Sequence, residues 1–126
     1  MNVTHEVIND IPVVKVSGEV DMSNCGYIDN VVATTVSNQA FALILDLSEV
    51  TYVDSAGVRL LYQLDARLEV HQQRLIVLVP AGAAILRTLQ AAGVIGSLML
   101  ASSLDAALLV AQSPREQHGD TNAPTG

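Results

Sequence analysis

A serine placed directly behind an aspartate and two residues ahead of a glycine, as in Asp54-Ser55-Ala56-Gly57, can do one of three things. It can cap a helix, its hydroxyl accepting a backbone N–H near Val58 for about 1 kcal/mol. It can act as a nucleophile. It can also stand open as an acceptor for chemistry supplied by another protein. The nucleophile needs an elbow of the form Gly-x-Ser-x-Gly, and here Val53 occupies the first position. It also needs a base. His5 lies near the N-terminus and His118 near the C-terminus, while His71 falls at the far end of a helix that would start at Ser55 and run to Gln72, about 27 Å long. Hydrolysis through Ser55 is therefore not expected. Cys25 is the single cysteine, no His or Cys pair has ligand spacing, and there is no Gly-x-x-x-x-Gly-Lys loop. Asp21, Asp46 and Asp54 would hold Mg²⁺ only weakly, and such a cluster without a phosphate reads as a solvated acidic edge. No metal and no cofactor are expected.

The elements around this corner follow from periodicity. Val3 to Ile8 and Ile11 to Val20 read as strands joined by a turn at Asn9-Asp10, with Val14, Val16 and Val20 alternating against polar neighbours. Ser23 is the candidate N-cap of a helix reaching about Val36, on which Ile28, Val31, Val32 and Thr35 fall at helical spacing. Phe41 to Leu47 is a nearly unbroken apolar run, as expected of a central strand covered on both faces. The helix from Ser55 to Gln72 carries Gly57, Leu61, Leu64 and Leu68 on one stripe, broadened by Val58 and Leu60. Leu75 to Val79 reads as a buried strand. Ala83 to Ala92 reads as a helix stopped by Gly93, Ser97 to Leu100 as a short strand, and Leu104 to Ala111 as a helix capped by Ser102 or Ser103.

The order β, β, α, β, α, β, α, β, α predicts an α/β fold: a mixed sheet of about five strands, parallel in its middle, packed against about four helices. In such sheets, sites gather at the carboxyl ends of the strands. Asp21 is expected to end the second strand and Asp46 the third, with Asp54 and Ser55 opening the next helix, so that the acids share one edge. Residues 1–112 are expected to form one domain, and 113–126, rich in Pro, Gly, Thr, Asn and Asp, a disordered tail.

Composition narrows the function classes. The chain has 126 residues, six basic against thirteen acidic, and a net charge of −7, which argues against a nucleic-acid partner because phosphate backbones are held by Lys and Arg. No basic residue lies between Lys15 and Arg59, where Glu19, Asp21, Asp29, Asp46, Glu49 and Asp54 all fall. The most apolar stretch, Leu75 to Leu86, is shorter than the ~20 residues a membrane span needs. With a lone Cys25 and no charged-then-apolar leader, a cytoplasmic location is expected and membrane insertion is not.

Four segments in order, Val16 to Asp21, Leu45 to Gly57, Leu75 to Pro80 and Leu89 to Val94, resemble the successive motifs of the STAS domain family. The chain is most similar to the bacterial anti-sigma factor antagonists of that family, over about Val3 to Ala111. The resemblance implies a STAS-type fold and a protein switch rather than an enzyme. In that family the serine after the acid is phosphorylated by a GHKL-type serine kinase that is itself the anti-sigma factor, and a serine phosphatase resets it. The matching position here is Ser55. Family members often carry a second Ser or Thr next, where this chain has Ala56, and often a Gly two residues after the first Gly, where it has Arg59.

The expected partner contact comprises Asp21, Asp46, Asp54, Ala56, Gly57 and Arg59 around Ser55. A helix N-terminus tolerates a phosphate, Gly57 is expected to keep the approach to the hydroxyl open, and Arg59, one turn on, could pair with the added charge. The acids would repel it. A second arrangement keeps the fold and makes the chain a STAS subunit docked on the ATPase of a lipid transporter, or an adaptor in another signalling complex, with Ser55 a plain cap.

Overall fold

The computed structural model describes residues 1–93, 96 and 98–112. The expectations for the tail, for His118, for Val94 and for a strand start at Ser97 fall outside the described residues.

Five strands form one mixed sheet: β1 (Asn2–Ile8), β2 (Ile11–Val20), β3 (Ala42–Val53), β4 (Arg74–Leu78) and β5 (Met99–Ala101). Their order across the sheet equals their order along the chain. β1 and β2 are antiparallel, and every later pair is parallel. The β1–β2 turn is made by Asn9 and Asp10, both at positive φ (52° and 68°), the two-residue geometry whose twist matches the strands it joins.

The helices are α1 (Cys25–Thr35), α2 (Ser55–Val70), α3 (Ala84–Ala91) and α4 (Leu104–Gln112). A sheet that grows in one direction through crossovers of one hand puts every connecting helix on one face. Accordingly Ile28 and Val32 of α1, Leu60, Leu61, Leu64 and Leu68 of α2, and Ile85 and Leu89 of α3 pack on Val14, Val16, Leu43, Leu45, Leu47, Leu75 and Val77. α4 follows the last strand and is free to turn under the sheet, where Ala107 and Ala111 meet Ile11, Val13, Ala42, Ile44, Ile76 and Leu78. Both halves of the alternation in β2, β3 and β4 are thus buried, the reason those strands read as apolar runs.

The ends of the elements are chemically specified. Gly93, at φ 80°, follows the C-cap residue Ala92 of α3 in the left-handed position expected of it. Ser103 Oγ accepts the Ala106 N–H at 3.1 Å at the start of α4. Gln73, buried at 5% exposure, donates through Nε2 to the carbonyls of Ser37 (2.8 Å) and Ala40 (3.0 Å), clipping the α1–β3 loop to the start of β4.

Two expectations for this frame are corrected. β3 does not end near Leu47 but runs to Val53, because β2 and β3 stay paired well beyond the last residue of β4. Ser23 does not cap α1: the Asp21 carboxylate takes both its hydroxyl and its N–H, and Asn24 occupies the cap position.

Candidate functional site

The end of β3 and the start of α2 form a tightly built corner. Asp54 is the N-cap of α2. Its Oδ1 accepts the Gly57 N–H at 3.0 Å, its carbonyl accepts the Val58 N–H at 3.0 Å, and its own N–H donates to the Val20 carbonyl at 3.2 Å. Its second oxygen, Oδ2, accepts the Met22 N–H at 3.3 Å. One aspartate therefore joins β3, the end of β2, the β2–α1 turn and the first turn of α2.

This arrangement corrects the capping role read from the sequence. Asp54, not Ser55, satisfies the helix donor. Ser55 is the first residue of α2, exposed, and its hydroxyl forms no hydrogen bond among the described residues. The N–H groups of a first helical turn have no partner inside the helix, so the hydroxyl sits at the positive end of the α2 dipole. Ala56 beside it is half-buried.

Gly57 faces the core and not the hydroxyl, which corrects the idea that it keeps the approach to Ser55 open. It is buried, and a Cβ built on it would lie 2.7 Å from Val53 Cγ1 and 3.1 Å from Val20 Cγ1. Glycine is needed because the helix starts hard against the ends of β2 and β3.

The β2–α1 turn is held by its own polar groups. Asp21 Oδ1 accepts the Ser23 N–H (2.9 Å) and hydroxyl (2.5 Å), the Asp21 N–H donates to Asn24 Oδ1 (3.0 Å), and Asn24 Nδ2 donates to the Glu19 carbonyl (2.8 Å). The Ser23 hydroxyl, then its N–H, hold the Asp21 carboxyl below the usual carboxylate range. Cys25 opens α1 within reach of this charge: burial first, then Asp54 and Asp21, push its thiol up, and Arg59 opposes them. Arg59 is exposed and forms no ion pair among the described residues.

Asp21, Asp54, Ser55 and Arg59 are thus brought together, and Asp46 is not. Asp46 lies in the middle of β3, opposite Lys15 on one side and Leu78 on the other. It shares the parity of Ala42 and Ile44, which face α4, and Val53 lies seven residues further along the strand, roughly 20 Å away. Its Oδ1 accepts the Ser48 N–H at 2.9 Å, where β3 carries an extra residue between the pairs Lys15–Asp46 and Ser17–Glu49. It satisfies a donor of that bulge. It also lines a cleft with Thr4, His5, Glu6, Val13, Lys15 and Leu104. Lys15 in turn pairs with Glu49 at 3.0 Å; that hydrogen-bonded partner and its charge raise the lysine pKa.

Sequence reasoning missed Met22. It follows Asp21, the first residue past β2, in a turn of polar residues, 80% exposed, with its N–H on Asp54. An apolar residue in a polar turn was the available signal. Among the described residues no group of three or more His, Cys, Asp or Glu could hold a metal ion, and no helix is long and apolar enough to cross a membrane.

Residues 6–111 match the family model described as Mlab, STAS domain. An anti-sigma factor antagonist from Mycobacterium paratuberculosis superposes with a TM-score of 0.79 at 27% identity, covering 89% of this chain and 94% of that one. SpoIIAA, described as an anti-sigma factor antagonist in its unphosphorylated form, superposes with a TM-score of 0.66 at 23% identity, over 86% of this chain and 96% of its own. The phosphorylated form of the Bacillus SpoIIAA does so with a TM-score of 0.61, again at 23% identity, over 86% of this chain and 99% of its own. The SpoIIAA likenesses carry the fold. No curated protein matches the chain significantly. With a sheet and helices arranged as in these proteins and a family match over residues 6–111, the chain belongs to the STAS domain family.

Proposed function

We propose that the protein is an anti-sigma factor antagonist switched by phosphorylation of Ser55. In the unmodified form it binds a GHKL-type anti-sigma factor kinase and so frees a sigma factor; the kinase then transfers the γ-phosphoryl group of ATP to Ser55 Oγ, with loss of the hydroxyl proton and release of ADP. A serine phosphatase resets the switch. The protein itself catalyses nothing in this scheme and contacts no nucleic acid.

The observation that carries this reading is the open Ser55 hydroxyl. Asp54 has taken the capping duty, so the hydroxyl has no hydrogen-bond partner among the described residues and is exposed at a helix start that tolerates an anion. The contact surface is Asp21, Asp54, Ser55, Ala56 and Arg59. Gly57 acts from beneath it and Asp46 is left out, on the geometry above. The modification adds a charge of about −2 next to Asp54 and Asp21. Like-charge and desolvation penalties at an interface reach several kcal/mol, and each ~1.4 kcal/mol is tenfold in affinity, so a single phosphate can weaken the complex ~100-fold.

Titration calorimetry of purified kinase with Ser55→Ala and Ser55→Asp variants tests it. Ser55→Ala should hold the kinase and Ser55→Asp should release it; equal affinities would refute the switch. The name Mlab in the family description keeps a second reading in play, the STAS subunit docked on the ATPase of a lipid transporter, with Arg59 as a contact. Co-purification with an ABC-type ATPase in place of a GHKL kinase would favour it.

A further inference from the structure

Met22 is an exposed methionine in a turn whose backbone is tied by several side chains. Exposure alone says little, since Tyr27, Phe41, Val70 and Leu109 are also open to solvent. Met22 differs in its surroundings. Asp21 and Asn24 close the turn on either side of it, and its own N–H is held by Asp54 Oδ2. The side chain therefore projects from a backbone that needs no ordering on contact, which removes part of the entropic penalty of association. Methionine is enriched in protein contacts, and a buried apolar residue ringed by polar groups is the usual form of an energetic centre. The carboxylates of Asp21 and Asp54 flank it in the same turn, so the surface complementary to it is an apolar pocket edged with Lys or Arg.

The same aspartate links this side chain to Ser55. Asp54 divides its two oxygens between the Gly57 N–H of α2 and the Met22 N–H of the turn. A dianion on the adjacent Ser55 repels that carboxylate and competes with it for the donors of the first helical turn.

We propose that Met22 is the apolar anchor of the partner contact and that Asp54 holds it in place, so that phosphate on Ser55 disturbs the anchor as well as the charge of the surface. The proposal rests on the antagonist reading for the identity of the partner, an anti-sigma factor with a cation-edged apolar pocket.

The test has two arms. In the first, the GHKL-type anti-sigma factor kinases of the source genome are purified and titrated with the wild-type protein, Met22→Ala and, as a control on the neighbouring exposed face, Tyr27→Ala. Loss of one buried methionine should weaken binding at least about tenfold, against less than about threefold for the tyrosine. In the second, phosphoserine is installed at position 55 during translation, with no kinase involved, and amide exchange is followed by NMR. The Met22 N–H should exchange about threefold faster or more when its bond to Asp54 is lost. Wild-type binding with an unchanged Met22→Ala affinity overturns the anchor and leaves the antagonist reading standing. An unchanged Met22 exchange rate overturns the link through Asp54. Failure of every kinase to bind the wild type overturns the antagonist reading, and the anchor falls with it.

Discussion

Replacing Gly57 with alanine forces a methyl group into the seat of α2. The new Cβ would stand 2.7 Å from Val53 Cγ1, 3.1 Å from Val20 Cγ1 and 3.4 Å from the Val20 carbonyl oxygen. Carbon atoms prefer about 3.5–4.0 Å, so the helix start or the two valines must retreat by roughly 1 Å. Neither valine has an easy escape. Both are buried, at 4% and 5% exposure, and β-branched side chains are stiff about χ1. The apolar void beside them, lined by Val16, Ile28, Leu45, Leu60 and Leu61 among others, has a volume of about 10 Å³, close to the smallest that holds one water. It absorbs part of the displacement at most, and the rest falls on packed side chains. Overpacking of this kind costs about 1–3 kcal/mol, and the better helix propensity of alanine returns up to about 1 kcal/mol. The expected net loss is about 1–2 kcal/mol, read as a fall in Tm of about 4–8 °C in a thermal melt. Gly26 supplies the control: it lies in the first turn of α1, and a Cβ there meets nothing within 4 Å, so Gly26→Ala should leave Tm unchanged or raise it. Equal melting of Gly57→Ala and wild type would show that α2 does not rest on Val20 and Val53, and would remove the basis for the placement of Asp54 and Ser55.

With phosphoserine at position 55, Arg59 should favour the dianion against the opposing charges of Asp54 and Asp21. Arg59→Gln should raise the second pKa of the phosphate in a ³¹P NMR titration, and coincident curves would exclude the pair. Asp21 has a folded pKa below its unfolded value, so the stability it contributes is complete above the usual carboxylate pKa near 3.9 and is lost as pH falls through the lower folded value. Urea midpoints of Asp21→Asn should therefore lie below wild type at pH 6 and converge with it at pH values under about 4; a constant gap would refute the assignment. Gln73→Leu strips the Ser37 and Ala40 carbonyls of their donor and should cost about 1–2 kcal/mol in urea denaturation, with no change at Ser55.

Much of the frame was legible because local signals agreed with one another. Asn9-Asp10 marked the hairpin, Gly93 the end of α3, and the leucines of α2 its inward stripe. β3 was misjudged for a physical reason. Its buried residues beyond Asp46 are Leu47, Val50 and Val53, three apart, because two extra residues relative to β2 break the alternation that identifies a strand. The same irregularity hid the fate of Asp46, whose face depends on the count of strand residues on either side of it. At the corner itself the residue types pointed to the place, while the division of labour was set by geometry. Asp and Ser are both good caps, and nothing in their order says that Asp54 would take the Gly57 N–H and leave Ser55 open. Likewise the inward aim of Gly57 depends on how closely α2 starts against Val20, a contact between segments more than thirty residues apart.

The sheet in which spatial order repeats chain order has a consequence for how the protein is made. Each strand leaving the ribosome finds its neighbour in the one just before it, so pairing can advance from the N-terminal hairpin outward with each loop closure kept short. The Ser55 corner needs only β1, β2, α1, β3 and the first turns of α2, and can be in place while the segments that complete the far edge are still being synthesised.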